Sequence, residues 1–184
     1  SHYERFDGVS VWPKGKWETP LGWIEIDEDL ARKIISASKR FFQRDSAYLW
    51  EHSIEAQLPF LQKTLENFKI LPIIFGSENK DWKLLAKSII KNIKSKKVLI
   101  IASADLSHYL SYKEAKEADK RTLENVLNFK VNGLDICAID SARTLVEIAR
   151  ILEGKAKLLK YANSGDTAGD KDRVVGYGAI AFYR

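Results

Sequence analysis

Methionine is absent from this chain of 184 residues, and cysteine occurs once, at Cys137. A single cysteine excludes a disulfide framework within the chain and suits a reducing compartment, so a cytoplasmic protein is expected. No run approaches the roughly 18 apolar residues that a membrane-spanning helix needs. No secretory pattern of basic then apolar residues stands at the start. Neither a membrane partner nor a secreted fold is therefore expected. Low-complexity tracts, long linkers and internal repeats are missing too. The opening Ser1-His2-Tyr3, without Met, reads as the start of a fragment or of a processed chain.

What is present suits a globular domain. Hydrophobic residues make up 45%, enough for one core over residues 1–184. Charged residues make up 30%, a balance that would suit a thermophile. The formal charge is +5, with Lys83, Lys87, Lys91 and Lys94 set along one helical segment. That pattern reads as a solvated helix surface. A nucleic-acid stripe would interleave basic residues with exposed aromatics or carry a known module. Neither is found, so no nucleic-acid partner is expected.

The segments alternate in type, which points to an α/β fold. Val9 to Ile26 reads as a small β-hairpin region, with turns at Pro13-Lys14-Gly15-Lys16 and Pro20-Leu21-Gly22. Asp27 caps a helix to about Phe42, with Glu28 and Asp29 favouring its positive start. A second helix covers about Glu51 to Leu65, and Pro59 inside it should kink or restart it. Phe68 to Phe75 is a near-continuous apolar run, the pattern of a strand buried on both faces. A helix follows from about Asp81 to Lys94, with apolar residues at a clean 3.6-residue period. Val98 to Ala102 reads as another buried strand. Helices are expected at about Tyr112 to Asn128 and Asp140 to Glu153, with Asp140 as N-cap and Gly154 as stop. Two strands close the chain, Ala156 to Ala162 and Val174 to Tyr183, around the polar loop Asn163 to Arg173. The order predicts a central mixed β-sheet flanked by helices. In such sheets ligands sit at the carboxyl ends of strands, here the loops after Ala102 and Ala162.

Three segments could carry chemistry. In Ser103-Ala104-Asp105-Leu106-Ser107-His108-Tyr109, Asp105 and His108 stand three apart in a strand-end loop. They could converge on one substrate or metal, with His108 as general base or acid and Asp105 orienting it. Equally, Asp105 could cap a turn and His108 be a satisfied loop residue. In Glu51-His52-Ser53-Ile54-Glu55, His52 and Glu55 lie one helical turn apart. A metal-binding helix would usually place a second His at Ala56, so an ion pair or cap fixing the start of the helix is the better reading. The loop from Asn163 through Ser164, Asp166 and Thr167 to Asp170 offers donors and acceptors, with two glycines that let backbone approach a ligand. It lacks the Gly-Lys-Ser/Thr ending of a P-loop and could also be a plain connection. Cys137, among Ile136 and Ala138, reads as a small buried core residue.

Taken in order, Ser1-His2, Glu51-His52-Ser53-Ile54-Glu55 with Leu58-Pro59, Ser103-x-Asp105-Leu106-Ser107-His108, and Tyr161-Ala162-x-Ser164 through Tyr177 resemble the Memo family along essentially the whole chain. Members of this kind are also called AmmeMemoRadiSam system protein B. The resemblance implies a fold similar to class III extradiol dioxygenases, which hold non-haem iron with two His and one carboxylate. It also implies that the chain lacks the family's N-terminal segment, which carries a first ligand His. His2 would be the second ligand, and Asp105 and His108 would line the same pocket. The animal members' Cys ligand falls at Thr167. A neutral Thr hydroxyl is a poor ligand, and neighbouring Asp166 would replace it if turned inward.

These implications frame three expectations. The first is an oxidoreductase-type enzyme that binds Fe(II) or Cu in the full-length protein, while the fragment could not hold the complete triad and could bind none. His2, Asp105 and Asp166 would be ligands, His108 and Asp105 catalytic. Asn163, Ser164 and Thr167 would contact ligand, and His52 and Glu55 would support. The second is a non-catalytic module for phosphopeptide-like or other anionic ligands. The third is an accessory protein with radical-SAM and AMMECR1-type partners.

Overall fold

The structure, a computed structural model, describes residues 3–77, 81–93, 97–167 and 169–183. It is α/β, with sheets flanked by helices, and it gathers into two compact units, Ser1–Leu99 and Ile100–Arg184.

The first unit runs β1 (Val9–Val11), β2 (Lys16–Thr19), β3 (Gly22–Ile26), α1 (Glu28–Ser36), β4 (Phe41–Phe42), α2 (Leu58–Thr64), β5 (Lys69–Ile70), β6 (Ile73–Phe75) and α3 (Asp81–Ile93). β1 pairs in parallel with β4 and antiparallel with β6, and β3 pairs antiparallel with β2 and in parallel with β5. Strands this short do not hold themselves together. The core does: Val9, Val11, Ile26, Ile34 and Leu85 are all but fully buried, each contributing about 1.5–3 kcal/mol.

Several boundaries differ from the sequence-based expectation for physical reasons. Asp27 does cap α1, accepting from the Leu30 amide at 3.0 Å. The helix ends at Ser36, however, because the Ser38 hydroxyl accepts from the Arg40 amide and turns the chain. Phe41 then enters the sheet as a buried strand residue. The run Phe68 to Phe75 is two strands in two sheets, broken at Pro72. That residue has no N–H for a ladder, and its carbonyl accepts from the Trp12 amide at 3.0 Å and the Tyr48 hydroxyl at 3.2 Å. Before α2, residues 53–57 form turns, and the helix starts at Leu58 with Pro59 in its first turn, where a missing N–H costs nothing. The expected strand Val98 to Ala102 has no ladder partner among the described residues, and Leu99 is 66% exposed. Lys94, the expected end of the third helix, lies outside the described residues.

The second unit carries the site. Its elements are β7 (His108–Leu110), α4 (Tyr112–Leu127), α5 (Ile139–Ile151), β8 (Lys155–Asn163) and β9 (Val174–Tyr183). They form an antiparallel sheet in the order β7-β9-β8. The closing antiparallel pair stands as the alternating residues predict. The Glu114 carboxylate accepts from the Ser111 amide and hydroxyl and fixes the start of α4. Ala115, Ala118, Thr122, Leu123 and Val126 form its buried face. Gly176 and Gly178, two apart on β9, leave room for that face: a Cβ at Gly178 would come 2.9 Å from Leu123 Cδ2. Ala138, not Asp140, is the N-cap of α5; Asp140 sits buried in the first turn with Arg143 Nη1 at 3.2 Å. No described helix is long and apolar enough to cross a membrane.

Candidate metal centre

β9 holds the segment before β7 in place. The Leu106 amide donates to the Gly176 carbonyl at 2.9 Å, and the Gly176 amide donates to the Ser107 carbonyl at 3.0 Å. Beneath them lies Asp119, fully buried on α4. Its carboxylate accepts from the Ser107 amide at 2.9 Å and the Tyr161 hydroxyl at 2.8 Å. Only glycine fits at position 176, because a Cβ there would lie 2.0 Å from Asp119 Oδ2. Leu106 and Ser107 point inward and are buried, while Asp105 and His108 on either side are half-exposed. The Ser107 hydroxyl is buried with no hydrogen-bond partner among the described residues.

Asp105 and His108 do converge. His108 Nε2 stands 3.6 Å from Asp105 Oδ2, just beyond hydrogen-bond range, with side chains 33% and 48% exposed. A register irregularity between His108 and Leu110 puts Tyr109 at φ 60°, and such bulges re-aim neighbouring side chains. Cys137 joins the pair. One potential ligand atom from each of Asp105, His108 and Cys137 falls within 4.8 Å of the others, the only such cluster among the described residues. Two hydrogen bonds stitch the segments: the Cys137 amide donates to the Asp105 carbonyl at 3.1 Å, and the Asp105 amide donates to Cys137 Sγ at 3.1 Å. Partial desolvation of the sulfur pushes the thiol pKa up. The Asp105 carboxylate adds to that rise, and the Asp105 amide opposes it. Across the site, desolvation and the same carboxylate raise the Tyr177 phenol.

The loop Asn163 to Asp166 is built differently. Asn163 is buried, its amide donates to Asp166 Oδ2 at 2.9 Å, and its side chain accepts from the Gly165 amide at 3.0 Å. Asp166 Oδ1 accepts from the Tyr112 hydroxyl at 2.6 Å, a bond that, first among its causes, holds the carboxyl below its usual range. Ser164 Oγ accepts from the Val175 amide, and the Thr167 hydroxyl donates to the Ser164 carbonyl. These polar groups fix the loop itself, and Asp166 is not part of the Asp105 cluster. His52 and Glu55, in the first unit, form a surface pair with Nδ1 and Oε1 2.5 Å apart and side chains each 64% exposed. Ser1 and His2 lie outside the described residues.

A family model described as Memo-like protein matches residues 1–181. The chain belongs to the Memo family. Curated relatives described as MEMO1 family proteins agree. One from Desulfurococcus amylolyticus is 42% identical over 188 residues, and one from Sulfurisphaera tokodaii is 39% identical over 188 residues. A third, from Saccharolobus solfataricus, is 37% identical over 188 residues. Each match takes in 95% of this chain and 66% of the relative, so the chain spans just under two thirds of their length. A fold related to class III extradiol dioxygenases is consistent with Memo membership.

Two residues of this Memo chain escaped the motif reading. Cys137 was expected in the core and is instead exposed, because it lies in the connection between α4 and α5 rather than on an apolar helix face. Its partner Asp105 is 32 residues away, and no local spacing announces that contact. Asp119 had a legible signal: a carboxylate one turn after Ala115 and one before Thr122 and Leu123, in the buried stripe of α4. A charge in such a stripe demands partners.

Proposed function

We propose that this chain carries one wall of a metal-dependent, oxidoreductase-type pocket. The observation that carries the reading is the approach of His108 Nε2 to Asp105 Oδ2 at 3.6 Å, at the end of a segment pinned from below by Asp119. The donors suit a transition metal such as Fe(II) or Cu: an imidazole nitrogen and a carboxylate oxygen, both solvent-accessible. A bound ion would supply Lewis-acid polarisation of a substrate oxygen. With an ion bound, His108 Nε2 and Asp105 Oδ2 would be its ligands; in the metal-free site Nε2 would be open to accept or return a proton, with Asp105 holding the ring in orientation. A reducing cytoplasm would keep Cys137 a thiol.

Metal analysis of the full-length protein tests this. One transition-metal ion per chain is expected, with occupancy lost in His108→Ala and reduced in Asp105→Ala. Protein that takes up no metal under anaerobic reconstitution sinks the reading.

One observation favours a second function, the binding of phosphopeptide-like anions. Lys116 and Lys171 lie over the Tyr112 ring at 5.3 and 5.2 Å, and Arg173 over Tyr109 at 4.9 Å, a cationic face on the site-bearing unit. Titration with a phosphotyrosine peptide that shows no saturable binding removes it.

A further inference from the structure

We propose that Cys137 is a metal ligand: with Asp105 and His108 it forms a three-ligand site for a borderline divalent ion such as Zn2+, Co2+ or Fe2+, one coordination position remaining open. The inference rests on the metal-pocket reading above and adds the soft donor that decides which ions the pocket takes.

Proximity is the first argument. Around a tetrahedral ion with bonds of about 2.0–2.3 Å, neighbouring ligand atoms stand about 3.3–3.8 Å apart. The Asp105–His108 pair is already at 3.6 Å, and all three atoms lie within 4.8 Å. A rotation of exposed side chains by about 1 Å closes the set. Cys137 and Asp105 need no backbone movement to meet, because two hydrogen bonds already tie their segments.

Electrostatics is the second argument. The Asp105 amide donates to Cys137 Sγ at 3.1 Å. Such an N–H···S bond favours the thiolate and orients it, as the partners of metal-bound groups do. A divalent cation held between the sulfur and the Asp105 carboxylate would be attracted by both.

The donor types select the ion. One oxygen, one nitrogen and one sulfur do not suit Mg2+ or Ca2+, which take oxygen ligands. They suit borderline ions, and three protein ligands with a free position are the catalytic rather than the structural pattern. The exposure of all three side chains gives the ion and a substrate atom a path in.

Anaerobic titration of the reduced, full-length protein with Co2+ tests the assignment. Saturable one-to-one binding is expected, with a thiolate-to-cobalt charge-transfer band in the near ultraviolet, displaced by Zn2+. Zn2+ should also protect Cys137 from alkylation by iodoacetamide. Cys137→Ser should lose the band and weaken binding by at least roughly tenfold, with unchanged far-ultraviolet circular dichroism. Asp105→Asn should weaken binding while keeping the band. Saturable binding without the band, and of equal strength in Cys137→Ser, overturns the role of Cys137 while leaving a metal pocket without it. No saturable binding of Co2+ or Zn2+ overturns the pocket and the inference together.

Discussion

Replacing Gly176 with alanine should damage this protein far more than one methyl group suggests. The added Cβ would lie 2.0 Å from Asp119 Oδ2, 2.6 Å from Cγ and 2.9 Å from Oδ1. Asp119 is fully buried, so its carboxylate can yield only by giving up the Ser107 amide and the Tyr161 hydroxyl. Hydrogen bonds to a charged acceptor contribute about 1.5–3 kcal/mol each, and overpacking costs about 1–3 kcal/mol. The two do not add in full, because the carboxylate that swings away also relieves the clash. A net loss of about 3–5 kcal/mol follows. For a chain of this length that lowers Tm by roughly 6–20 °C. Calorimetry and urea unfolding would measure it, with m unchanged if the native fold persists. Gly178→Ala is the control: its close contacts are the side-chain ends Leu123 Cδ2 at 2.9 Å and Leu106 Cδ1 at 3.3 Å. Those can rotate, and about 1–2 kcal/mol is expected. In an Asp119→Ala background the cost of Gly176→Ala should shrink by about 1–3 kcal/mol. Parent-like stability of Gly176→Ala, or an equal cost in both backgrounds, refutes the reasoning.

Tyr161→Phe should cost about 1.5–3 kcal/mol at neutral pH by removing the phenol from Asp119. Desolvation, with Asp119 adding to it, pushes this phenol up to about 12 from an ordinary 10.0. A raised pKa gives stability that is complete below the ordinary value and lost as the pH rises through the folded one. Unfolding curves between those limits should therefore fall less steeply in Tyr161→Phe than in the parent, and equal slopes would remove Tyr161 from the buried network. His52→Ala should leave metal uptake unchanged and stability within about 0.5 kcal/mol of the parent, since its pair with Glu55 is exposed. Lost metal in that variant would return His52 to the site.

Strong periodicity and good caps made much of the fold legible. Asp27, the 3.6-residue stripe after Asp81 and the alternation from Val174 to Tyr183 stand where the residues put them. Misreadings came where apolar runs have more than one use. Phe41 fits a helix face as well as a strand, and only pairing with β1 decides it. Phe68 to Phe75 looks like one strand until Pro72 divides it between two sheets. At the site, the three-residue spacing of Asp105 and His108 is local and was readable. The approach of Cys137 depends on how the α4–α5 connection folds back, and a lone cysteine between Ile136 and Ala138 carries no mark of it. The polar loop from Asn163 to Thr167 looked equally able to bind a ligand or itself. Its donors and acceptors are matched within the loop, as in the Asn163–Asp166 capping box, and by Tyr112 and Val175 beside it.

The way Asp105 is used separates tethering from coordination. Both hydrogen bonds to Cys137 use main-chain atoms of Asp105, while its carboxylate faces His108. Asp105→Asn therefore leaves the two segments tied and removes only charge and donor strength. On the other side, the main-chain bond from the Cys137 amide survives any substitution but proline, and the serine of Cys137→Ser can still accept from the Asp105 amide. Serine thus keeps the contact and deletes the soft ligand, whereas alanine would delete both. If the cluster is only a structural seam, Asp105→Asn and Cys137→Ser should be nearly silent, and a substitution that breaks the backbone pair should be costly. If it is a metal site, the order reverses in the presence of Zn2+. Metal-dependent stabilisation follows RT ln(1 + [L]/Kd). The parent should then gain in Tm with added Zn2+ while both side-chain variants, intact in backbone, gain little.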